Sequence, residues 1–243
     1  MSFTEKKFYS LSYHNKLKKT AYAVKEWLEK HTNREYAECL LNWLNHQENN
    51  GIPIPENNRG WQMVYEKLMQ HLNQNPENNC PALFDKPKTE NRKKIPATVI
   101  LEDIRSPHNV GAIIRSGECF GIEKIITTGI TPDMNNNKVK RTAMGAEIIT
   151  HYEKSISAVM ENYLRMGYSL YALEKTGKSR NLKKADIKFP CAFILGNEEW
   201  GVSEEVLAGC SETLHIELLG NKNSLNVSVA AGILFYQLSQ LAQ

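Results

Sequence analysis

Residues 98–120 read TVILEDIRSPHNVGAIIRSGECF. A β-branched run, Thr98–Leu101, gives way to a polar stretch with a proline, and from about residue 108 apolar residues return at helical spacing. Working outward, strand-like runs recur at Lys124–Thr128, Glu147–Thr150, Ser169–Leu173, Ala192–Leu195 and Leu214–Leu218. Helical patterns fall between several of them, at 108–120, 155–166 and 203–209, and one closes the chain at 226–241. This alternation predicts an α/β fold over residues 96–243, a mostly parallel sheet covered by helices on both faces. Such folds bind ligands beyond the carboxyl ends of their strands, so the loops there are the place to look for chemistry.

Upstream the texture differs. Ala21, Val24, Trp27 and Leu28, then Tyr36, Cys39, Leu40, Trp43 and Leu44, recur at helical spacing, as do Trp61, Val64, Leu68 and Leu72. At those core-facing positions Trp27, Trp43 and Trp61 read as packing residues rather than base-stacking platforms. Residues 45–60 and 73–96 are rich in Asn, Gly, Pro and charge, and the second stretch marks a boundary. The expected organisation is a small, mainly helical region over 1–95 and an α/β domain over 96–243. Residues 1–96 hold 15 Lys and Arg against 11 Asp and Glu, whereas 97–243 hold 15 against 16. The cluster Lys86, Lys88, Arg92, Lys93 and Lys94 is the densest basic stretch and the best candidate there for phosphate contact.

The 243 residues are 41% hydrophobic and 23% charged, with mean hydropathy −0.47, which excludes collagen-like, mucin-like and wholly disordered classes. No window approaches the roughly 20 apolar residues of a membrane span. Met1–Lys19 lacks the apolar centre of a secretory signal, so a cytoplasmic protein is expected. Cys39, Cys80, Cys119, Cys191 and Cys210 are dispersed, without a CxxC pair. That pattern suggests buried, reduced thiols and no metal site.

Three strand-end loops carry the chemistry. After the first strand, Asn109 stands at the expected helix start. Arg115 lies six residues on, nearly two turns, which reads as a return toward the same side of the helix in otherwise apolar company. As a helix cap Asn109 needs no function, and Arg115 reads either as a snorkelling side chain or as a phosphate-binding group. After Ala192–Leu195 come Gly196, Asn197, Glu198, Glu199, Trp200 and Gly201. The two glycines either turn the chain or let backbone approach a ligand. No GK[ST] follows and no GxGxxG succeeds the first strand, which disfavours nucleotide hydrolysis and dinucleotide binding. The last strand runs into a polar loop where Ser224 or Asn226 caps a helix that begins with Val227, Ser228, Val229, Ala230, Ala231 and Gly232. The small residues there favour close packing.

Together the three loops resemble the signature motifs of the TrmH/SpoU branch of the SPOUT RNA methyltransferases. N-x-G-A-x-x-R stands at Asn109–Arg115, L-G-N-E-x-x-G at Leu195–Gly201 and S-L-N-V-S-V-A at Ser224–Ala230. Arg141–Ala146 resembles an accessory Gly-Ala motif, and Glu217 stands where relatives usually carry proline. The resemblance covers 97–243 and not the N-terminal region. It implies a sheet with a C-terminal trefoil knot, a homodimer, and transfer of a methyl group from S-adenosylmethionine to a ribose 2′-hydroxyl of tRNA or rRNA. It also implies cofactor contacts at Gly196, Ile216 and Leu225, with Leu195, Asn197, Gly201 and Leu218 close by. Arg115 is placed at the catalytic centre, supported by Asn109, Glu198, Ser224 and Asn226. Arginine is effectively always protonated, so Arg115 either acts as a desolvated base helped by an RNA phosphate or clamps that phosphate and orients the ribose. A catalytically silent RNA-binding protein on the same fold is the rival reading; the presence of Arg115, Asn109 and Asn226 argues against it.

Overall fold

The computed structural model describes residues 3–48, 51–74, 93–146 and 149–242, and the chain divides into two compact units, Met1–Phe84 and Asp85–Gln243. The first unit contains helices α1 (Glu5–Tyr9), α2 (Tyr13–Lys30), α3 (Arg34–Glu48) and α4 (Asn58–His71). Ser12 and Asn57 cap α2 and α4 by accepting bonds from the backbone N–H three residues on. Leu17, Val24 and Leu28 meet Leu40, Leu44, Trp61 and Leu68 in a core whose described members all belong to this unit, with Trp27 and Trp43 packed against it. The three tryptophans therefore serve packing.

The second unit runs β1 (Ile95–Glu102), α5 (Pro107–Phe120), β2 (Ile122–Thr128), α6 (Asn137–Ala143), β3 (Ile149–Glu153), α7 (Ile156–Arg165) and β4 (Ser169–Leu173). It continues through β5 (Arg180–Asn181), β6 (Cys191–Leu195), α8 (Glu204–Gly209), β7 (Glu212–His215) and α9 (Val227–Leu241). Every strand pairing is parallel, in the order β3-β2-β1-β6-β4-β7-β5. The period of two along a strand sorts side chains onto two buried faces. Val99, Leu101, Ile125, Phe193 and Leu195 join α5 and α9 residues Val110, Ile113, Leu234 and Phe235 on one face. Ile100, Ile126, Ala192 and Ile194 join Val159, Met160 and Val206 of α7 and α8 on the other.

The central pair, β1 and β6, lies in register from Ala97–Cys191 to Leu101–Leu195. The chain leaves β1 toward β2 and leaves β6 toward the other half of the sheet, so their carboxyl ends flank a point where the topology reverses. Crevices form at such points because the outgoing loops diverge.

Several expectations need correcting. Ser106, not Asn109, caps α5: its side chain accepts from Asn109 N, with Pro107 in the first turn, and the helix starts earlier than the apolar pattern indicates. β7 stops at His215, so Ile216 and Leu218 lie in the following loop rather than in a strand. Of the two caps expected for α9 the structure uses Asn226, which accepts from Ser228 N, so that expectation stands. A Cβ on Gly232 would meet nothing within 4 Å, so close packing does not require that glycine. Cys191 is buried, whereas Cys119 is exposed and Cys39 and Cys210 are half-buried; Cys80 lies outside the described residues. Burial pushes the Cys191 thiol up to about 12, and burial followed by the Glu102 carboxylate does the same to Cys210. Of the basic cluster, Lys86, Lys88 and Arg92 also lie outside the described residues, and Lys93 and Lys94 are exposed.

Candidate functional site

The loop after β6 is shaped by its own hydrogen bonds. Asn197 and Gly201 exchange backbone bonds of 3.0 and 2.9 Å, closing a tight turn. The buried Asn197 side chain accepts from the N–H groups of Glu199 and Trp200 and donates to Asp103 O at 2.7 Å, tying this loop to the one after β1. Gly196 has no room for a side chain, since a Cβ there would lie 2.2 Å from the Gly201 carbonyl oxygen. Gly201 takes φ +72°, which favours glycine. Glu174, at the end of β4, accepts from Val202 N at 3.1 Å and from Lys175 N at 2.8 Å, bracing the same turn. Sequence reasoning misses Glu174, because a lone acid after a strand looks like any solvated carboxylate.

Side chains from all three motifs meet beside this loop. Asn226 Nδ2 donates to Asn109 Oδ1 at 3.1 Å, and Asn109 Nδ2 donates to Glu198 Oε1 at 2.9 Å. Ser228 N and Oγ donate to Asn226 Oδ1 at 2.9 and 2.6 Å. The chain of amides has a backbone donor at one end and a carboxylate acceptor at the other, which leaves one consistent orientation for both asparagines. Glu198 also accepts from the backbone N–H groups of Arg105 (2.9 Å) and Ser106 (3.1 Å). Burial works to raise its pKa, but the bonds from Arg105 N–H, the Asn109 amide, its own N–H and Ser106 N–H outweigh that and hold it below the usual carboxylate range. Arg105 in turn pairs with Glu199.

The network borders a cavity of about 720 Å³. All seven expected cofactor residues, Leu195, Gly196, Asn197, Gly201, Ile216, Leu218 and Leu225, line it, as do Glu198, Ser224 and Asn226. Trp200, 73% exposed, stands on its wall. Arg115 is not among the lining residues. Six residues advance about 9 Å along a helix and turn it by about 600°, so Arg115 does not share a face with Asn109. Its exposed guanidinium instead lies 2.8 Å from Met144 Sδ, just past α6. Glu217, exposed after β7, accepts from Asn181 Nδ2 at 3.0 Å, so the carboxylate in the usual proline position has a partner within the chain. Among the described residues no group of three or more His, Cys, Asp or Glu is placed to hold a metal, and no helix is long and apolar enough to cross a membrane.

The chain is similar to several known proteins. Residues 96–236 match the SpoU rRNA Methylase family. The chain is 30% identical over 151 residues to the tRNA (guanosine(18)-2'-O)-methyltransferase of Thermus thermophilus, covering 60% of this chain and 75% of that protein. A Borreliella burgdorferi tRNA/rRNA methyltransferase, described as uncharacterized, is 30% identical over 203 residues, covering 81% of this chain and 86% of its own length. The SpoU methyltransferase AviRb of Streptomyces viridochromogenes, solved in complex with AdoMet, aligns at TM-score 0.55 and 26% identity over 59% of this chain and 57% of that one. The A. aeolicus TrmH/SpoU tRNA modifying enzyme, at 22% identity and TM-score 0.54, covers 61% of this chain and 76% of its own, and supports the fold alone.

Proposed function

The chain belongs to the SpoU rRNA Methylase family, and from that premise we infer that it methylates a ribose 2′-hydroxyl of tRNA or rRNA with S-adenosylmethionine as donor. The observation that carries this reading is the Asn226–Asn109–Glu198 network, one side chain from each motif, at the edge of the cavity.

The cavity fits the cofactor by size and chemistry. Its volume of about 720 Å³ lies within the roughly 300–1,000 Å³ of small-molecule sites. Leu195, Ile216, Leu218 and Leu225 supply apolar walls for an adenine, and Gly196 keeps its side clear because its own loop forbids a side chain there. Among the described residues the backbone N–H groups of Leu218 and Leu225 have no partner in the chain, so they are available to a ligand. Asn197 and Gly201 spend their backbone groups on each other, so in this reading they shape the site rather than bind. When bound, S-adenosylmethionine supplies an electrophilic sulfonium methyl group.

The residues of the chain position the acceptor. With three hydrogen bonds from other residues on its two oxygens, a fourth from its own N–H and a lowered pKa, Glu198 is a poor proton acceptor and a good anchor. It fixes the Asn109 amide, which fixes Asn226, and these amides together with the Ser224 hydroxyl face the incoming ribose. Arg115 is exposed beside Met144 and does not line the cavity, so in this reading it clamps the adjoining phosphate and orients the 2′-hydroxyl. The same reading gives the C-terminal segment the trefoil knot of the family and makes the protein a cytoplasmic homodimer. Val229, Ile233 and Tyr236, exposed in a stripe along α9, support an apolar partner there. The helical unit and basic linker would select the RNA.

Arg115→Ala tests the assignment. Transfer of labelled methyl to total RNA should fall by about 10²-fold or more, the scale of losing a group that stabilises a transition state. S-adenosylmethionine affinity by calorimetry should stay within two-fold. Turnover within a few-fold of the parent would remove Arg115 from the reaction.

A further inference from the structure

α6 reads NKVKRTA, three cations and no acid in seven residues. Its buried side, Val139 and Ala143, is held against α5 at Gly111, where a Cβ would lie 2.6 Å from both Val139 O and Thr142 Cβ. Two contacts set its register on the helix that carries Asn109 and Arg115. Thr142 Oγ1 lies 3.2 Å from His108 Nδ1, and Arg115 Nη1 lies 2.8 Å from Met144 Sδ. Lys138 precedes Thr142 by four residues and Lys140 precedes Met144 by four. Both turns are intact, with Thr142 Oγ1 donating to Lys138 O at 3.0 Å and Met144 N donating to Lys140 O at 3.2 Å. Each lysine thus stands one turn, about 6 Å, along the helix from a contact with a residue of the site helix.

Lys138 and Lys140 are exposed, and neither has a carboxylate partner among the described residues. Arg141 has a partner in the chain and is not counted with them. Two residues along a helix turn it by about 200°, so the two lysines stand on opposite flanks of α6, Lys138 on the turn that meets His108 and Lys140 on the turn that meets Arg115, and both are fixed to the catalytic unit by backbone-close packing. Ammonium groups on a rigid support beside a ribose-modifying centre suit phosphate oxygens, which position a strand without reading its sequence.

We propose that Lys138 and Lys140 bind two phosphates of the RNA next to the nucleotide presented to Arg115 and Asn109, so that α6 sets the path of the strand over the catalytic unit. This rests on the methyltransferase reading above.

The full chain carrying Lys138→Ala and Lys140→Ala is titrated with bulk tRNA and, separately, total rRNA over a salt series. Each phosphate no longer neutralised should lower the magnitude of the slope of log K against log salt by about 0.7–0.9. The pair should therefore flatten it by roughly 1.4–1.8, while S-adenosylmethionine affinity stays unchanged. Lys138→Arg combined with Lys140→Arg should keep the parental slope. Lys138→Gln and Lys140→Gln, singly, give the same readout should the alanine protein fold poorly. Variants that bind the cofactor normally and keep the parental slope overturn the proposal, leaving α6 a solvated face only. A flattened slope in a protein that never methylates RNA would sink the enzymatic reading while this surface stands. Methylation with an unchanged slope does the reverse.

Discussion

Glu198 is held between opposed effects: burial raises its carboxyl, and four hydrogen-bond donors lower it further than burial lifts it. Its folded pKa is therefore below the unfolded value of about 4.3. The stabilisation is complete above that unfolded value and is lost as pH falls through the folded one. Glu198→Gln places an amide N–H where a donor already points. At neutral pH it should cost about 1 kcal/mol, a modest figure because the residue is exposed. Melting curves should show the parent and the variant converging as pH drops below about 4, and a constant gap between them would count against the clamp. The identity of this carboxylate was legible in its motif, but its task was not. Nothing in L-G-N-E-x-x-G says that the acid reaches back to Arg105 and Ser106, roughly ninety residues earlier in the chain. Arg115 misleads in the other direction, because six residues along a helix suggest a shared face until the turn angle is counted.

At the scale of elements, two glycines in α5 and α9 separate packing from propensity. A Cβ on Gly111 would lie 2.6 Å from Thr142 and Val139 atoms, whereas one on Gly232 would have nothing within 4 Å. Gly111→Ala should push α6 off α5 and destabilise by about 1–3 kcal/mol, the usual range for overpacking. Gly232→Ala should leave stability unchanged or raise it by up to about 1 kcal/mol through helix propensity. Thermal unfolding of the two variants checks the contrast, and equal effects would refute the packing account. The long strands and the helices with clear periods were legible because each buries a face. α1 and α6 were not, being five and seven residues long and mostly polar, with too few turns to show a period. The apolar pattern overextends the last strand because Ile216 and Leu218 look like strand residues, but their side chains line the cavity rather than extend the sheet. A ligand wall and a strand end carry the same residue types.

At the scale of the whole molecule, each unit has its own core, residues of 1–84 contributing to one and residues of 95–242 to the others. The charge does not divide along the same line. Residues 1–84 carry 10 Lys and Arg against 9 Asp and Glu, a net +1, so the basic excess of the N-terminal part sits mainly in Lys86, Lys88, Arg92, Lys93 and Lys94. If the helical unit chooses the RNA and the linker holds its phosphates, the two losses should be separable. A chain beginning at residue 85 should stay soluble, because among the described residues the cores of the α/β unit are built from residues 95–242. It should bind S-adenosylmethionine as the parent does and keep a nearly parental salt slope, while losing discrimination between tRNA and rRNA. Replacing the five linker cations with glutamine in the full chain should instead preserve discrimination and flatten the slope by about 0.7–0.9 for each phosphate released. Competition binding with the two RNA classes, repeated across a salt series, reads both quantities at once. A truncated chain that discriminates as well as the parent would move substrate choice onto the catalytic unit, and a glutamine variant with an unchanged slope would take the linker off the RNA.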